Sequence, residues 1–259
     1  MHLTYLLPAP MHATALGETE MRRRAALLSD WAGSDTRITV TAVDRGPASV
    51  ESAYEEYLAI PAMGEALRDA ERAGTDATVL GCFGDPGLDG LRELAGRPVV
   101  GPAGAAMALA CTLGHSFSVV TVSSGVRPLL RRLAWETGVL PALCEVRSVE
   151  LSVLAINQDH DAAYAALRAE CEQALSTTDA DTLVLGCMSM GFLGAAEQLT
   201  AELGVPVLNP IRAAVHHAQT LHRMGLTPSR RAFPAPPALV ADADAELMHH
   251  AQNRLEVTG

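Results

Sequence analysis

The sequence predicts an α/β protein: two similar parallel-sheet α/β domains related by pseudo-two-fold symmetry, with the active site in the cleft between them. Three observations predict it. Short apolar runs alternate with longer stretches rich in Ala, Leu, Glu and Arg, the pattern of strands alternating with helices. Thr78-Val79-Leu80-Gly81-Cys82 is matched by Leu183-Val184-Leu185-Gly186-Cys187. Each match is then followed by a second one: Pro98-Val99-Val100-Gly101-Pro102 with Ala105-Ala106, and Pro206-Val207-Leu208-Asn209-Pro210 with Ala213-Ala214. Strand, Gly-Cys loop, helix, strand and Pro-started helix thus occur twice in the same order, which points to internal duplication.

The expected strands are Leu3–Leu7, Arg37–Val43, Ala77–Leu80, Pro98–Val100, Phe117–Val122, Val146–Val149, Thr182–Leu185 and Val205–Leu208. Their near-continuous apolar character suits a parallel sheet covered on both faces. Expected helices include Glu18–Trp31, Ser52–Ala73, Ala103–Leu113, Asp161–Leu175 and Ile211–Met224. Ser52-x-x-Glu55 reads as a capping box, and Pro102 and Pro210 suit a first helical turn, where the missing N–H costs nothing. Phe233-Pro-Ala-Pro-Pro237 reads as a connector, and Asp242 to Leu255 as a polar terminal helix. The expected division is discontinuous: residues 1–100 with 208–259 form one domain, and residues 101–207 the other.

Composition narrows the function. The 259 residues are 49% hydrophobic, enough for a substantial core, and carry a formal net charge of -11. No basic footprint for nucleic acid or an anionic membrane is present. No run approaches the roughly 20 apolar residues of a membrane span. The Met1–Pro10 stretch lacks a basic start and is short for a secretory signal, so a cytoplasmic protein is expected. The chain contains no lysine. Pyridoxal-phosphate chemistry needs a lysine amine, and a Walker P-loop needs its own, so both classes are excluded. The histidines show no ligand spacing; His216-His217 and His249-His250 read as solvated helix surface.

Five cysteines, at 82, 111, 144, 171 and 187, form no C-x-x-C pair and read as reduced thiols. Cys111 sits in an apolar helical stretch and is expected in the core. Cys144 follows an irregular Pro141-Ala142-Leu143, and Cys171 sits among charges in a helix; both are expected to be structural. Cys82 and Cys187 differ, because each ends a buried strand. Ligands bind beyond the carboxyl ends of parallel strands, and a helix N-terminus beyond each loop is expected to favour thiolate. Two such thiols facing each other suit one chemistry. One sulfur removes a proton from a carbon while the other returns a proton to the opposite face. Asp85-Pro86-Gly87 reads as a turn with Asp85 a lesser candidate for substrate, and Arg127, Arg131 and Arg132 as a solvated face.

On these residues the chain resembles the aspartate/glutamate racemase superfamily, within it the hydantoin and allantoin racemase branch. The resemblance runs through Gly46-Pro-Ala-Ser-Val-Glu-Ser52, Tyr54-Glu-Glu-Tyr-Leu58, Cys82-Phe-Gly-Asp-Pro-Gly87, Phe117-Ser-Val-Val-Thr121, Gly186-Cys187 and Leu203-Gly-Val-Pro-Val207. It implies Cys82 and Cys187 as the acid–base pair, no metal, no cofactor, a small-molecule substrate and a homo-oligomer. It also maps substrate contacts onto Ser49, Val50, the amides of Phe83 and Gly84, Thr121, Met188 and Ser189. Three departures bear on the pocket wall. Leu7-Pro8-Ala9-Pro10 stands where the family has an Asn-rich turn, Met188-Ser189 where it has a small residue and Gly, and Leu208-Asn209-Pro210-Ile211 where it tends to Asp-Gly. A 5-substituted hydantoin is the first candidate substrate. A biosynthetic isomerase or cyclase using the same thiols on another scaffold is the alternative, and a non-catalytic binding protein is a third.

Overall fold

Two four-stranded parallel sheets share one strand order in the computed structural model, which describes residues 1–13 and 17–237. The first contains β1 (His2–Leu7), β2 (Arg37–Ala42), β3 (Ala77–Leu80) and β4 (Val99–Val100), ordered β2-β1-β3-β4. The second contains β5 (Phe117–Thr121), β6 (Leu143–Ser148), β7 (Thr182–Leu185) and β8 (Val207–Leu208), ordered β6-β5-β7-β8. The second sheet therefore repeats the first, displaced by four strands. Register repeats as well: Leu6 pairs with Leu80 in one sheet, as Val120 pairs with Leu185 in the other. All eight expected strands occur.

The helices are α1 (Gly17–Ala32), α2 (Ala53–Arg72), α3 (Leu88–Leu94), α4 (Pro102–Leu113), α5 (Arg127–Glu136), α6 (Val153–Gln158), α7 (His160–Thr177), α8 (Met188–Phe192), α9 (Ala195–Leu203) and α10 (Pro210–Arg223). They cover both faces of the inner strands, so β3, β5 and β7 are buried throughout. Helix α4 lies against β5 and β7, whereas α10 lies against β3, β4 and α1, and the two helices pack on each other. None of the described helices is long and apolar enough to cross a membrane. The terminal helix read over Asp242 to Leu255, with His249-His250, lies outside the described residues.

Two local readings are corrected. Helix α4 turns Ala103, Ala106, Met107 and Ala110 inward, while Cys111, at the edge of that face in the last turn, is exposed and not core. Strand β6 begins at Leu143, which puts Cys144 on a strand and not after an irregular stretch. Arg127, Arg131 and Arg132 lie on helix α5 with Arg131 and Arg132 exposed, the solvated face expected, while the apolar face buries Leu130, Leu133 and Ala134. Half of the expected capping box forms: Glu55 N–H donates to Ser52 Oγ (3.3 Å), while Glu55 Oε2 accepts from Ser52 Oγ (2.9 Å) and from Glu51 N–H (2.8 Å) and not from the Ser52 amide.

The duplicated Gly-Cys has a steric cause. Gly81 N–H donates to Leu6 O at 2.7 Å, and Gly186 N–H to Val120 O at 2.7 Å. A Cβ on Gly81 would lie 2.8 Å from Leu6 O; on Gly186 it would lie 2.7 Å from Val119 Cγ1 and 3.1 Å from Val120 O. Each strand leaves its sheet so close to its neighbour that a side chain has no room. The next residue is the cysteine.

Each cysteine loop is also tied to the following Pro-started helix. Asp85 accepts from Ala103 N–H and Gly104 N–H, both at 3.0 Å, at the start of α4. The equivalent amides of α10, on Ile211 and Arg212, are capped by Asn209 Oδ1, while Asn209 Nδ2 donates to Gly191 O at 2.9 Å. One half caps from the loop and the other from the helix, with the same result. Gly101 is required because Asp85 occupies the space of its absent side chain, 2.3 Å from a notional Cβ.

Gly81→Ala and Gly186→Ala are each expected to destabilise the fold by about 1–3 kcal/mol through overpacking. Gly90→Ala in α3, where a Cβ meets nothing within 4 Å, serves as the control and should be neutral or stabilising. Urea unfolding of the three variants tests this. Equal midpoints would remove the steric explanation of the repeat.

Candidate active site

Cys82 and Cys187 follow Gly81 and Gly186 at the carboxyl ends of equivalent strands, and both line one cavity of about 100 Å³. Ser49, Val50, Phe83, Gly84, Thr121, Met188 and Ser189 line it too, so the structure brings together every residue expected there. The first sheet supplies the Cys82 loop and the segment leading into α2. The second supplies Thr121 at the end of β5, the Cys187 loop and α6.

The Gly84 N–H beside Cys82, and the Ser189 and Met190 N–H groups beside Cys187, favour thiolate, as expected for a helix start, although Cys187 makes no capping hydrogen bond to α8. Burial acts the other way and wins in both cases, so each thiol is pushed above the ordinary cysteine range. The expectation of a lowered thiol is thus reversed, because desolvation of a sulfur anion outweighs one or two amide donors. Cys171 is structural, packed inside α7 with its thiol pushed up to about 12 by burial.

Thr121 Oγ1 donates to Gly186 O at 2.9 Å and braces the base of the Cys187 loop. Ser49 Oγ donates to Glu51 Oε1 at 2.9 Å, and that same oxygen accepts from Val153 N–H at 3.2 Å. Glu51 thereby joins the Gly46–Ser52 loop to α6 across the mouth of the cavity. Asp85 faces the start of α4 and is not among the lining residues.

Four polar groups of the site escape the sequence reading. Arg24 on α1 is only 3% exposed and lines the cavity. Its guanidinium bonds to Glu20 at 2.8 Å, reaches Asn157 Oδ1 and Ser189 Oγ at 3.5 Å, and stands 4.7 Å over the Phe192 ring. Such a cation–π contact is worth about 0.5–2 kcal/mol. Asn157 on α6 donates to Ser189 Oγ at 3.3 Å and lines the same wall. Glu56, one turn into α2, is 4% exposed and turns its carboxyl to Gly84: a Cβ there would fall 1.9 Å from Glu56 Oε1. Tyr5 on β1 is buried among Arg24, Cys82 and Cys187, with its hydroxyl proton held on by desolvation. In sequence, Arg22-Arg23-Arg24 and Glu55-Glu56 resemble solvated helix charges, and only helical phase distinguishes the inward member.

Phe192 couples the two halves. It packs edge-on to Tyr5 (ring centroids 5.8 Å) and stacks with Trp31 (5.9 Å), while its carbonyl accepts from Arg23 at 3.2 Å. Because Phe192 ends α8, the helix that starts at Cys187 is anchored to the opposite sheet.

A cleft between duplicated parallel-sheet halves thus holds one thiol from each. The Asp/Glu/Hydantoin racemase family model matches residues 17–218. The hydantoin racemase of Pseudomonas sp. (strain NS671) is 38% identical over 199 residues, covering 77% of this chain and 79% of its own. The allantoin racemase from Klebsiella pneumoniae superposes with a TM-score of 0.83 at 33% identity, covering 93% of this chain and 96% of that one. Arylmalonate decarboxylase shares the fold at 18% identity, with a TM-score of 0.59 over 86% of this chain and 92% of its own. The chain belongs to the Asp/Glu/hydantoin racemase family and is an enzyme of the isomerase class.

Glu56 gives the site a measurable pH signature. Burial lifts its carboxyl from 4.5 to about 7, opposed by Arg132 and reinforced by Asp85. The folded state therefore holds this proton more tightly than the unfolded chain. The stability it contributes is complete below about pH 4.5 and is lost as pH rises through about 7. Asp85, lifted from 3.8 to about 7 by burial, acts in the same direction. Glu56→Gln should reduce the loss of stability between about pH 5 and pH 8 by up to roughly 3 kcal/mol. Urea unfolding at both pH values measures it; an unchanged loss would contradict the buried carboxyl.

Proposed function

We propose that this enzyme racemises or epimerises a small, cyclic amide substrate, such as a 5-substituted hydantoin, at its acidic carbon, with Cys82 and Cys187 as a thiolate/thiol pair. The observation that carries this reading is the placement of two thiols from equivalent strand ends in one cavity. The relatives named hydantoin racemase and allantoin racemase support the substrate class.

The thiolate takes the proton on the carbon beside the carbonyl: the C–H bond breaks, an S–H bond forms, and the electron pair passes into an enolate. The second thiol then donates its proton to the opposite face, its S–H breaking as the new C–H forms. Arg24 and the loop amides supply positive charge and N–H donors in the cavity, where fixed donors stabilise an enolate oxygen more than water does. The next turnover in the opposite direction begins with the thiols in exchanged states.

One observation favours a scaffold other than a simple hydantoin. Leu7, Pro8, Ala9 and Met11 form an apolar section of the wall, and proline at positions 8 and 10 removes two backbone donors. A biosynthetic isomerisation on a bulkier or less polar ring fits that wall.

Deuterium wash-in on each pure enantiomer tests the mechanism. A serine hydroxyl is too weak an acid to replace the thiolate base. Cys82→Ser should abolish net racemisation yet retain exchange for the enantiomer whose proton faces Cys187; Cys187→Ser should show the opposite preference. Chelators should leave wild-type turnover unchanged. If both variants exchange the same enantiomer, or either keeps full racemase activity, the two-faced mechanism is wrong; no exchange by the wild type across a hydantoin panel removes the hydantoin assignment.

A further inference from the structure

Glu56 is the polar group of the site that its protein surroundings leave unused. Helix α2 turns Ala59, Ala62, Met63 and Leu67 inward, and Glu56 begins that same face, where an apolar side chain is cheaper to bury. Its carboxyl lies against Gly84, two residues beyond Cys82, where a Cβ would fall 1.9 Å from Oε1. The carboxyl therefore stands beside the Cys82 loop on the wall of the active cavity. The thiols aside, the other polar side chains of that wall have protein partners. Ser49 Oγ donates to Glu51, Ser52 Oγ to Glu55 and Thr121 Oγ1 to Gly186 O. Arg24 and Asn157 both donate to Ser189 Oγ, and Arg24 to Asn157 Oδ1. Among the described residues none hydrogen-bonds to the Glu56 carboxyl, although the residue is only 4% exposed. A buried acceptor left unpaired is costly, and its retention calls for a partner.

We propose that Glu56 is a specificity-determining residue: its carboxyl accepts a hydrogen bond from an N–H on the edge of the bound ring, and the enzyme selects substrates that carry an N–H there. The inference deepens the cyclic-amide reading and rests on it for the choice of ligand. A carboxyl offers an acceptor oxygen with or without its proton. Arg24 and the loop amides are donors and suit the carbonyl oxygens of such a ring, while Leu7, Ala9 and Met11 present apolar wall. Glu56 supplies the complementary acceptor. A ring lacking that N–H leaves the carboxyl unpaired, a stronger ground for rejection than any misfit in an apolar pocket. One rival partner exists. Glu56 and Gly84 also line a second cavity, with Arg92 and Arg132 on its walls. Water reaching the carboxyl from that side would leave it indifferent to the ring.

The test is calorimetric binding of 5-isopropylidenehydantoin and its N1-methyl and N3-methyl derivatives to the full chain. These rings are planar at C5 and carry no acidic hydrogen there, so turnover does not enter the readout. In the wild type one of the two derivatives should bind about tenfold or more weakly than the parent. In Glu56→Met, which keeps the bulk and removes the acceptor, the parent should lose affinity by a similar factor, and the penalty of that derivative should shrink to about threefold or less. Glu56→Gln keeps a carbonyl oxygen and should keep the penalty. Equal affinity of the three ligands for the wild type overturns the proposal without recourse to any variant. A methyl penalty that is unchanged in folded Glu56→Met also overturns it, marking the penalty as steric and leaving the carboxyl to water. No binding of the parent removes this assignment and the hydantoin reading together. A Glu56-dependent penalty with no deuterium wash-in removes the racemase reading alone, whereas wash-in with a Glu56-independent penalty removes only this assignment.

Discussion

The close approach of two strand ends to their neighbours governs the geometry of the molecule. At Gly81 and Gly186 the chain leaves its sheet with a 2.7 Å hydrogen bond to the adjacent strand and with no room for a Cβ. That contact sets the angle at which the next residue emerges, and in both halves it is a cysteine directed to the common cavity. The helices starting at Pro102 and Pro210 then hold the loops in place, through Asp85 in one half and Asn209 in the other. Different side chains perform the same capping, so duplication is preserved in the backbone where the residues have diverged.

A two-base mechanism needs two sulfurs on opposite faces but only one proton between them. Burial raises both thiols, so the cavity itself does not favour an anion at either. Arg24 also occupies a wall whose neighbouring turn, Leu7-Pro8-Ala9-Pro10, carries none of the Asn side chains of the family's turn.

Much of this was readable from local pattern. Strand positions and the Gly-Cys repeat depend on short-range features: apolar runs of strand length, a glycine with no room for a side chain, and a proline at a helix start. The two cysteines followed from the same strand ends, whereas Ser49, Val50 and the other lining residues came from the family resemblance. What depends on helical phase or on burial was not readable. Arg24 stands within three consecutive arginines, and its burial comes from Phe192 and Ser189, both remote in sequence. Glu56 adjoins an exposed Tyr57 and is distinguished only by facing Gly84. Cys111 is surrounded by apolar neighbours in sequence but sits at the edge of the buried face of α4, in its last turn, and is exposed. The reversed direction of the thiol shifts has the same origin, since desolvation is a property of the assembled cleft and not of a strand–loop–helix motif.

The central claim is spatial: the sulfurs of Cys82 and Cys187 flank one carbon. A crystal structure with a planar, enolate-like hydantoin analogue in the cavity measures it directly. The expected result is one sulfur within van der Waals reach of each face of the ring, in line through the carbon that would be inverted. Both sulfurs on the same face, or a ligand in contact with only one of them, would contradict the account.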